Sequence, residues 1–138
     1  MDLAKLDVQD RAEAGATMTV MHPASGEPLV DDKGSMTIRL AGEDSRDYRK
    51  GVRSSRLRRL ELLENKESDP DKEFDSIEQD RIEVLARCTR AWTNVWFDGE
   101  ELECTYENAV AVYSRPGLHW LVRQVDSFVN NISNYLGN

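Results

Sequence analysis

Apolar residues change their period along the chain, and each change marks a different kind of element. Between residues 115 and 136, Leu118, Leu121, Val122, Val125, Phe128, Val129 and Ile132 recur at steps of three and four, which places them on one face of a helix. Trp120, Arg123, Asp126 and Asn130 fall largely elsewhere on that helix. Between residues 16 and 42 the period shortens to two. Ala16, Met18 and Val20 alternate with Thr17, Thr19 and Met21, and Met36, Ile38 and Leu40 alternate with Thr37 and Arg39, the spacing of strands. The runs from His22 to Pro28 and from Asp31 to Gly34 are rich in turn formers, so the strands are expected to form a small antiparallel meander. The first 15 residues carry only Leu3, Leu6 and Ala12 as markers of a weak helix, which Gly15 ends.

Beyond residue 43 the pattern is helical again. Asp44 with Asp47 three residues on reads as a helix start, and Tyr48, Val52, Leu57, Leu60 and Leu63 follow at helical spacing. This helix is basic, with Arg46, Arg49, Lys50, Arg53, Arg56, Arg58 and Arg59. Residues 65–75 are polar and acidic and include Pro70, which predicts a linker. Ser76 and Gln79 form a capping-box pattern ahead of a helix whose apolar face is Ile77, Ile82, Leu85, Cys88 and Trp92. Asp98-Gly99 is a tight-turn signal. Thr105 suits the cap of a short helix carrying Ala109, Val112 and Tyr113, and Pro116 suits the first turn of the last helix. The reading is an α+β fold, mainly α-helical, with a small N-terminal antiparallel β meander followed by a helical C-terminal part. Its segments are a β-rich stretch over residues 1–43, a basic helix over 44–64, an acidic linker over 65–75 and a helical domain over 76–138.

Composition narrows the chemistry. With 138 residues, one ordinary domain is expected. Charged residues make up 32% of the chain and the formal net charge is −8, which favours solubility and disfavours nonspecific contact with nucleic acid. The arginines of the basic helix have no interleaved aromatic residues on which bases would stack, so a protein surface is the better partner for them. No apolar run reaches the length of a membrane span, and the start Met1-Asp2-Leu3-Ala4-Lys5-Leu6-Asp7 has neither the basic nor the apolar region of a signal peptide. An unsecreted protein with reduced Cys88 and Cys104 is therefore expected. Two distant cysteines and two distant histidines make no zinc pattern. The acidic run starting at Asp69 lacks the glycine and the closing glutamate of a calcium loop, with Phe74 and Asp80 at those positions. His22 and His119 have no nucleophile at recognisable spacing, and Gly42, Gly51, Gly99 and Gly117 are isolated and build no phosphate loop. No catalytic residue, cofactor site or metal site is assigned.

Several short strings occur in a telling order: Met1 to Asp7, Glu13-Ala14-Gly15-Ala16, His22-Pro23 and Gly26-Glu27-Pro28-Leu29. They are followed by Trp92-Thr93-Asn94, Asp98-Gly99-Glu100, Thr105-Tyr106-Glu107-Asn108-Ala109, Tyr113-Ser114-Arg115-Pro116 and Gln124-Val125-Asp126-Ser127-Phe128. Taken together, over most of the length except the linker, the chain resembles the tail assembly chaperones of long-tailed bacteriophages. The resemblance implies a non-enzymatic protein that binds the tape measure protein, keeps it soluble and helps recruit tail tube subunits. It also implies a place in the host cytoplasm and absence from the finished virion.

The residues fit such a role. A tape measure protein is long and helical, with apolar seams that need cover. The stripe of Leu118, Leu121, Val122, Val125, Phe128, Val129 and Ile132 is the candidate partner-binding face, with Trp96 and Trp120 as aromatic anchors. Trp92 is assigned to the core. Acidic and basic segments within one chain also suit head-to-tail self-association. The rival readings are a structural virion protein (a head–tail connector or tail accessory subunit) and, behind it, a regulatory protein that binds nucleic acid through the basic helix. An enzyme ranks last.

Overall fold

The computed structural model describes residues 1–64 and 70–136. Helices account for 56% of the chain and strands for 18%, so the fold is mixed α+β and mainly helical. A single 3-10 turn (Leu3–Leu6) and α1 (Gln9–Ala14) lead into β1 (Ala16–Thr19). A two-residue ribbon, β2 (Val30–Asp31) with β3 (Gly34–Ser35), closes the turn at Asp31 to Gly34, and β4 (Thr37–Leu40) follows. Two long helices come next, α2 (Arg46–Glu64) and α3 (Pro70–Cys88). The chain then returns to the sheet as β5 (Thr89–Thr93) and makes a small ribbon of β6 (Trp96–Phe97) and β7 (Glu100–Glu101). It ends in α4 (Tyr106–Tyr113), a 3-10 turn (Pro116–Leu118), α5 (His119–Val129) and α6 (Ser133–Leu136).

The main sheet is antiparallel in the order β1-β4-β5, with Met18 opposite Ile38 and Ile38 opposite Trp92. Its inner face presents Met18, Ile38 and Leu40, which pack with Val20 against Ile82, Leu85 and Ala86 of α3, Val112 and Tyr113 of α4, and Leu121, Val122, Val125 and Val129 of α5. The segments 1–43 and 76–138 therefore share one core. A smaller cluster joins Val8 and Ala12 to Tyr135, whose ring meets Phe128 edge-on at 6.0 Å and whose hydroxyl donates to the Leu40 carbonyl at 3.2 Å.

Several local expectations change. Trp92 lies on a strand, because α3 ends at Cys88. Thr89 Oγ1 bonds the Leu85 carbonyl at 2.9 Å, and the β-branched Thr89 and Thr93 flank a segment that pairs with β4. The Trp92 indole N–H then donates to the Leu102 carbonyl at 2.8 Å, which ties the β6–β7 ribbon to the sheet. The capping box at Ser76 is not a helix start, since α3 begins at Pro70, where a missing N–H is harmless and Asp71 and Glu73 favour the helix N-terminus. Residues 70–75 of the expected linker are thus helical, and residues 65–69 lie outside the described residues. At α2 the capping oxygen belongs to Ser45, which accepts from the Tyr48 amide at 3.3 Å, and not to Asp44. The final helix is broken at Asn130 to Ile132. Asn130 Nδ2 bonds the Asp126 carbonyl at 2.9 Å, and Asn131 Oδ1 accepts from the Ser133 amide at 3.1 Å, so side chains substitute for helical backbone partners.

Other signals are realised as read. Asp98 and Gly99, with φ of 50° and 80°, supply the two left-handed residues that a two-residue hairpin turn requires. Thr105 Oγ1 accepts from the Asn108 amide at 3.1 Å and starts α4.

α2 and α3 form an antiparallel hairpin, and Gly51 permits their close approach: a Cβ there would stand 2.8 Å from Val84 Cγ2. Gly51→Ala is expected to destabilise the domain by about 1–3 kcal/mol, through overpacking, in a urea titration. An unchanged midpoint would mean that the two helices separate freely. Val125 is fully buried. Val125→Asp, which places an unpaired carboxylate there, is expected to cost several kcal/mol, on the order of the whole stability, and to abolish the folded circular dichroism spectrum. A folded Val125→Asp variant would contradict this core assignment.

Candidate partner-binding surface

The residues singled out from sequence divide into three groups. Leu121, Val122, Val125 and Val129 are at most 2% exposed and form the side of α5 that meets the sheet, α3 and α4. They are core, so in the folded domain they offer nothing to a partner. The reason is geometric: α5 lies over a sheet whose other layers are α3 and α4, and the stripe is the side that closes this layer. Leu118, Trp120 and Phe128 are half-buried against the same core. Of these residues, Ile132 and Trp96 are the most exposed, at 49% and 39%. Ile132 sits in the break between α5 and α6, whereas Trp96 sits on β6 beneath the Lys33 ammonium, 3.4 Å from the ring centroid. The stripe and its anchors are not one docking face.

The larger apolar surface is on the α2–α3 hairpin. Leu57, Leu60, Leu62 and Leu63 of α2 and Phe74 and Ile77 of α3 are exposed, with Leu63 at 67% and Phe74 at 65%. Towards the end of the hairpin, Leu62, Leu63 and Ile77 line a cleft of about 200 Å³. Ile77 and Arg59 also line a wider trough of about 420 Å³ between α2, α3 and the end of α5, floored by Val52, Val84 and Leu85. Arg59 and Ile77 stand between the two cavities and line both. Arg56, Arg59, Asp80, Arg81, Asp126 and Asn130 also line the trough, so it is a mixed, largely polar groove, and the apolar surface lies on the exposed leucines, Phe74 and Ile77.

Polar groups hold this surface in place. Asp80, buried on α3, receives Arg58 Nη2 at 2.6 Å, and the same guanidinium donates to Glu83 at 3.0 Å. Because Arg58 is about half exposed, water screens the pair, and it fixes the register of the helices more than it stabilises them. The second Asp80 oxygen, Oδ2, has no hydrogen-bond partner and lies 4.0 Å from Arg59 Nε. At the other end of the trough the Tyr48 hydroxyl donates to Asn130 Oδ1 at 3.1 Å. Burial, and then the Asp126 charge, raises the pKa of this phenol.

The sequence signal for the hairpin surface was partly there. Leu57, Leu60 and Leu63 have the spacing of an apolar helix face, but the buried side of α2 is marked by the small residues Gly51 and Ser55, four apart, which let α3 come close. Phe74 was hidden inside the expected linker.

Other candidate chemistry has structural employment. His22 Nδ1 accepts from the Ala24 and Ser25 amides at 3.0 and 3.2 Å and staples a turn, and His119 Nε2 lies 3.7 Å from Glu78. Among the described residues, no three His, Cys, Asp or Glu side chains are placed to hold a metal ion, and no helix is long and apolar enough to cross a membrane. No protein-family model, curated protein or solved structure matches the chain.

Burial pushes the Cys88 thiol up from 9.0 to about 12 and raises the Tyr113 and Tyr135 phenols. The unfolded chain releases these protons nearer their ordinary values while the folded chain keeps them. This contribution to stability is therefore complete below about pH 9 and is lost as pH rises towards 12. The urea midpoint is expected to fall across that window, and Cys88 is expected to resist alkylation at pH 8 until the protein is denatured. Ready alkylation of Cys88 in the folded state would contradict its burial.

Proposed function

We propose that this chain is a non-enzymatic holding protein whose α2–α3 hairpin covers an apolar helical partner. With the resemblance to tail assembly chaperones, the partner is the phage tape measure protein. The chain keeps it soluble in the host cytoplasm, helps bring tail tube subunits to it, and leaves before the virion is finished. The observation that carries this reading is the exposed apolar surface of the hairpin, Leu57, Leu60, Leu62, Leu63, Phe74 and Ile77, with a cleft at its end lined by Leu62, Leu63 and Ile77. Apolar surface of this kind on a charged, acidic chain marks an interaction site. Its action is stoichiometric: the partner's seam is buried against the hairpin, and the negative net charge of −8 keeps the complex in solution.

The test is co-expression with the tape measure protein encoded nearby, followed by affinity capture and size-exclusion chromatography. A soluble complex is expected where the tape measure protein alone is insoluble. The double variant Leu63→Glu with Phe74→Glu changes only exposed positions, so it is expected to keep the circular dichroism spectrum while weakening capture by about tenfold or more, as loss of interface anchors does. Capture that survives this change, or an insoluble partner with this chain eluting alone, would overturn the reading. Finding the chain in purified particles by mass spectrometry would favour a structural virion protein.

A further inference from the structure

Charge is segregated on this molecule in a way that its own fold does not neutralise. Seven of the 18 Lys and Arg residues lie between positions 46 and 59. Arg53, Arg56, Leu57 and Leu60 are spaced three and four apart, so they share one side of α2, and all four are exposed. This side is opposite the one that Gly51 and Ser55 bury against α3. Arg46, Arg49, Arg58 and Arg59 have carboxylate partners, but Arg53 and Arg56 make no ion pair among the described residues. The outcome is a ridge with two free guanidinium groups beside two exposed leucines.

The complement is at the β6–β7 ribbon and the start of α4. Asp98, Glu100, Glu101, Glu103 and Glu107 are all exposed, and none makes an ion pair among the described residues. Trp96 and Tyr106 are exposed as well, and in the ribbon Trp96 stands opposite Glu101 on one face while Phe97 stands opposite Glu100 on the other. The nearby cations Lys33 and Arg115 are engaged on aromatic faces, over Trp96 and Phe97. The ribbon is anchored to β5 through Trp92 and Leu102, whereas the ridge belongs to the outer side of the α2–α3 hairpin. The ridge offers free cations with aliphatic side chains, and the ribbon offers free carboxylates on both faces, with Glu101 beside the exposed Trp96.

We propose that the Arg53–Leu60 ridge of one copy docks on the acidic β6–β7 ribbon of a second copy. The partner is a second copy because this chain carries the complementary acidic, aromatic surface, and it is present wherever the ridge is. Arg53 and Arg56 meet the ribbon carboxylates and steer the encounter, while Leu57 and Leu60 cover Trp96 and Tyr106 and supply the burial. The two patches differ, so the contact is heterologous and leaves a ridge and a ribbon free at the ends. It therefore extends into chains or closes into rings. The ridge shares Leu57 and Leu60 with the hairpin's apolar surface and Arg56 with its trough, so a second copy and the hairpin's partner compete for those three residues, whereas Leu63 and Phe74 take no part in the contact.

The experiment is sedimentation equilibrium of the full chain at low and high salt, with two double variants, Arg53→Glu with Arg56→Glu and Glu100→Lys with Glu101→Lys. The wild type is expected to gain mass with concentration at low salt and to be monomeric at high salt. Each double variant alone is expected to associate about tenfold or more weakly, because like charges then face each other. An equimolar mixture of the two is expected to regain association. Both variants remain net negative, starting from −8, so general attraction does not explain that regain. A monomer at all concentrations in low salt, association indifferent to either pair of changes, or a mixture that fails to recover would each overturn the proposal. Circular dichroism of both variants shows that the fold is retained.

Discussion

The burial of one side of α5 is the constraint on which the rest of the structure depends. Leu121, Val122, Val125 and Val129 are the residues that close α3, α4 and the sheet into a single core. Complete burial of four such side chains is worth about 1.5–3 kcal/mol each by transfer, a large share of what a domain of this size can spare. A strip with that structural duty cannot also be surrendered to a partner. Beyond it α5 stops at Asn130, and the short α6 turns Tyr135 back under Gly42 and onto the Leu40 carbonyl.

Once α5 closes the core, the α2–α3 hairpin is left with more apolar surface than it can hide. Gly51 and Ser55 let the two helices touch closely, and Arg58 with Asp80 and Glu83 holds their register. Among the described residues, the leucines beyond that crossing have no third layer above them. The hairpin is thus tightly packed where it meets the core and apolar where it leaves it, which suits the proposed holding role: a preformed surface costs little ordering on binding.

The sheet strands β1 and β4 were legible because Met18 and Ile38 belong to runs of strict alternation, and the hairpin turn was legible because Asp98-Gly99 admits few conformations. The cap at Thr105 was local chemistry and likewise readable. β5 was not, since Trp92 continues the helical spacing of Ile82, Leu85 and Cys88. Only pairing with β4, some fifty residues earlier, decides that Thr89–Thr93 is a strand. The start of α3 at Pro70 was masked by the acidic composition around it. The break at residues 130–132 depends on which backbone groups Asn130 and Asn131 bond, information that periodicity does not carry. For the candidate surface the stripe was real, but periodicity reports that a face is apolar and not what covers it. Whether Val125 meets a sheet of its own chain or a partner is decided by the other layers, and so is the exposure of Leu63 and Phe74.

The measurement that tests the central claim most directly is hydrogen exchange, followed by mass spectrometry, of this chain alone and in complex with the co-expressed tape measure protein. If the hairpin is the docking surface, new protection appears in the later turns of α2 and the first turns of α3, while α5, already slow in the free protein, does not change. New protection confined to α5 and α6, with the hairpin exchanging as it does in the free chain, would contradict the account.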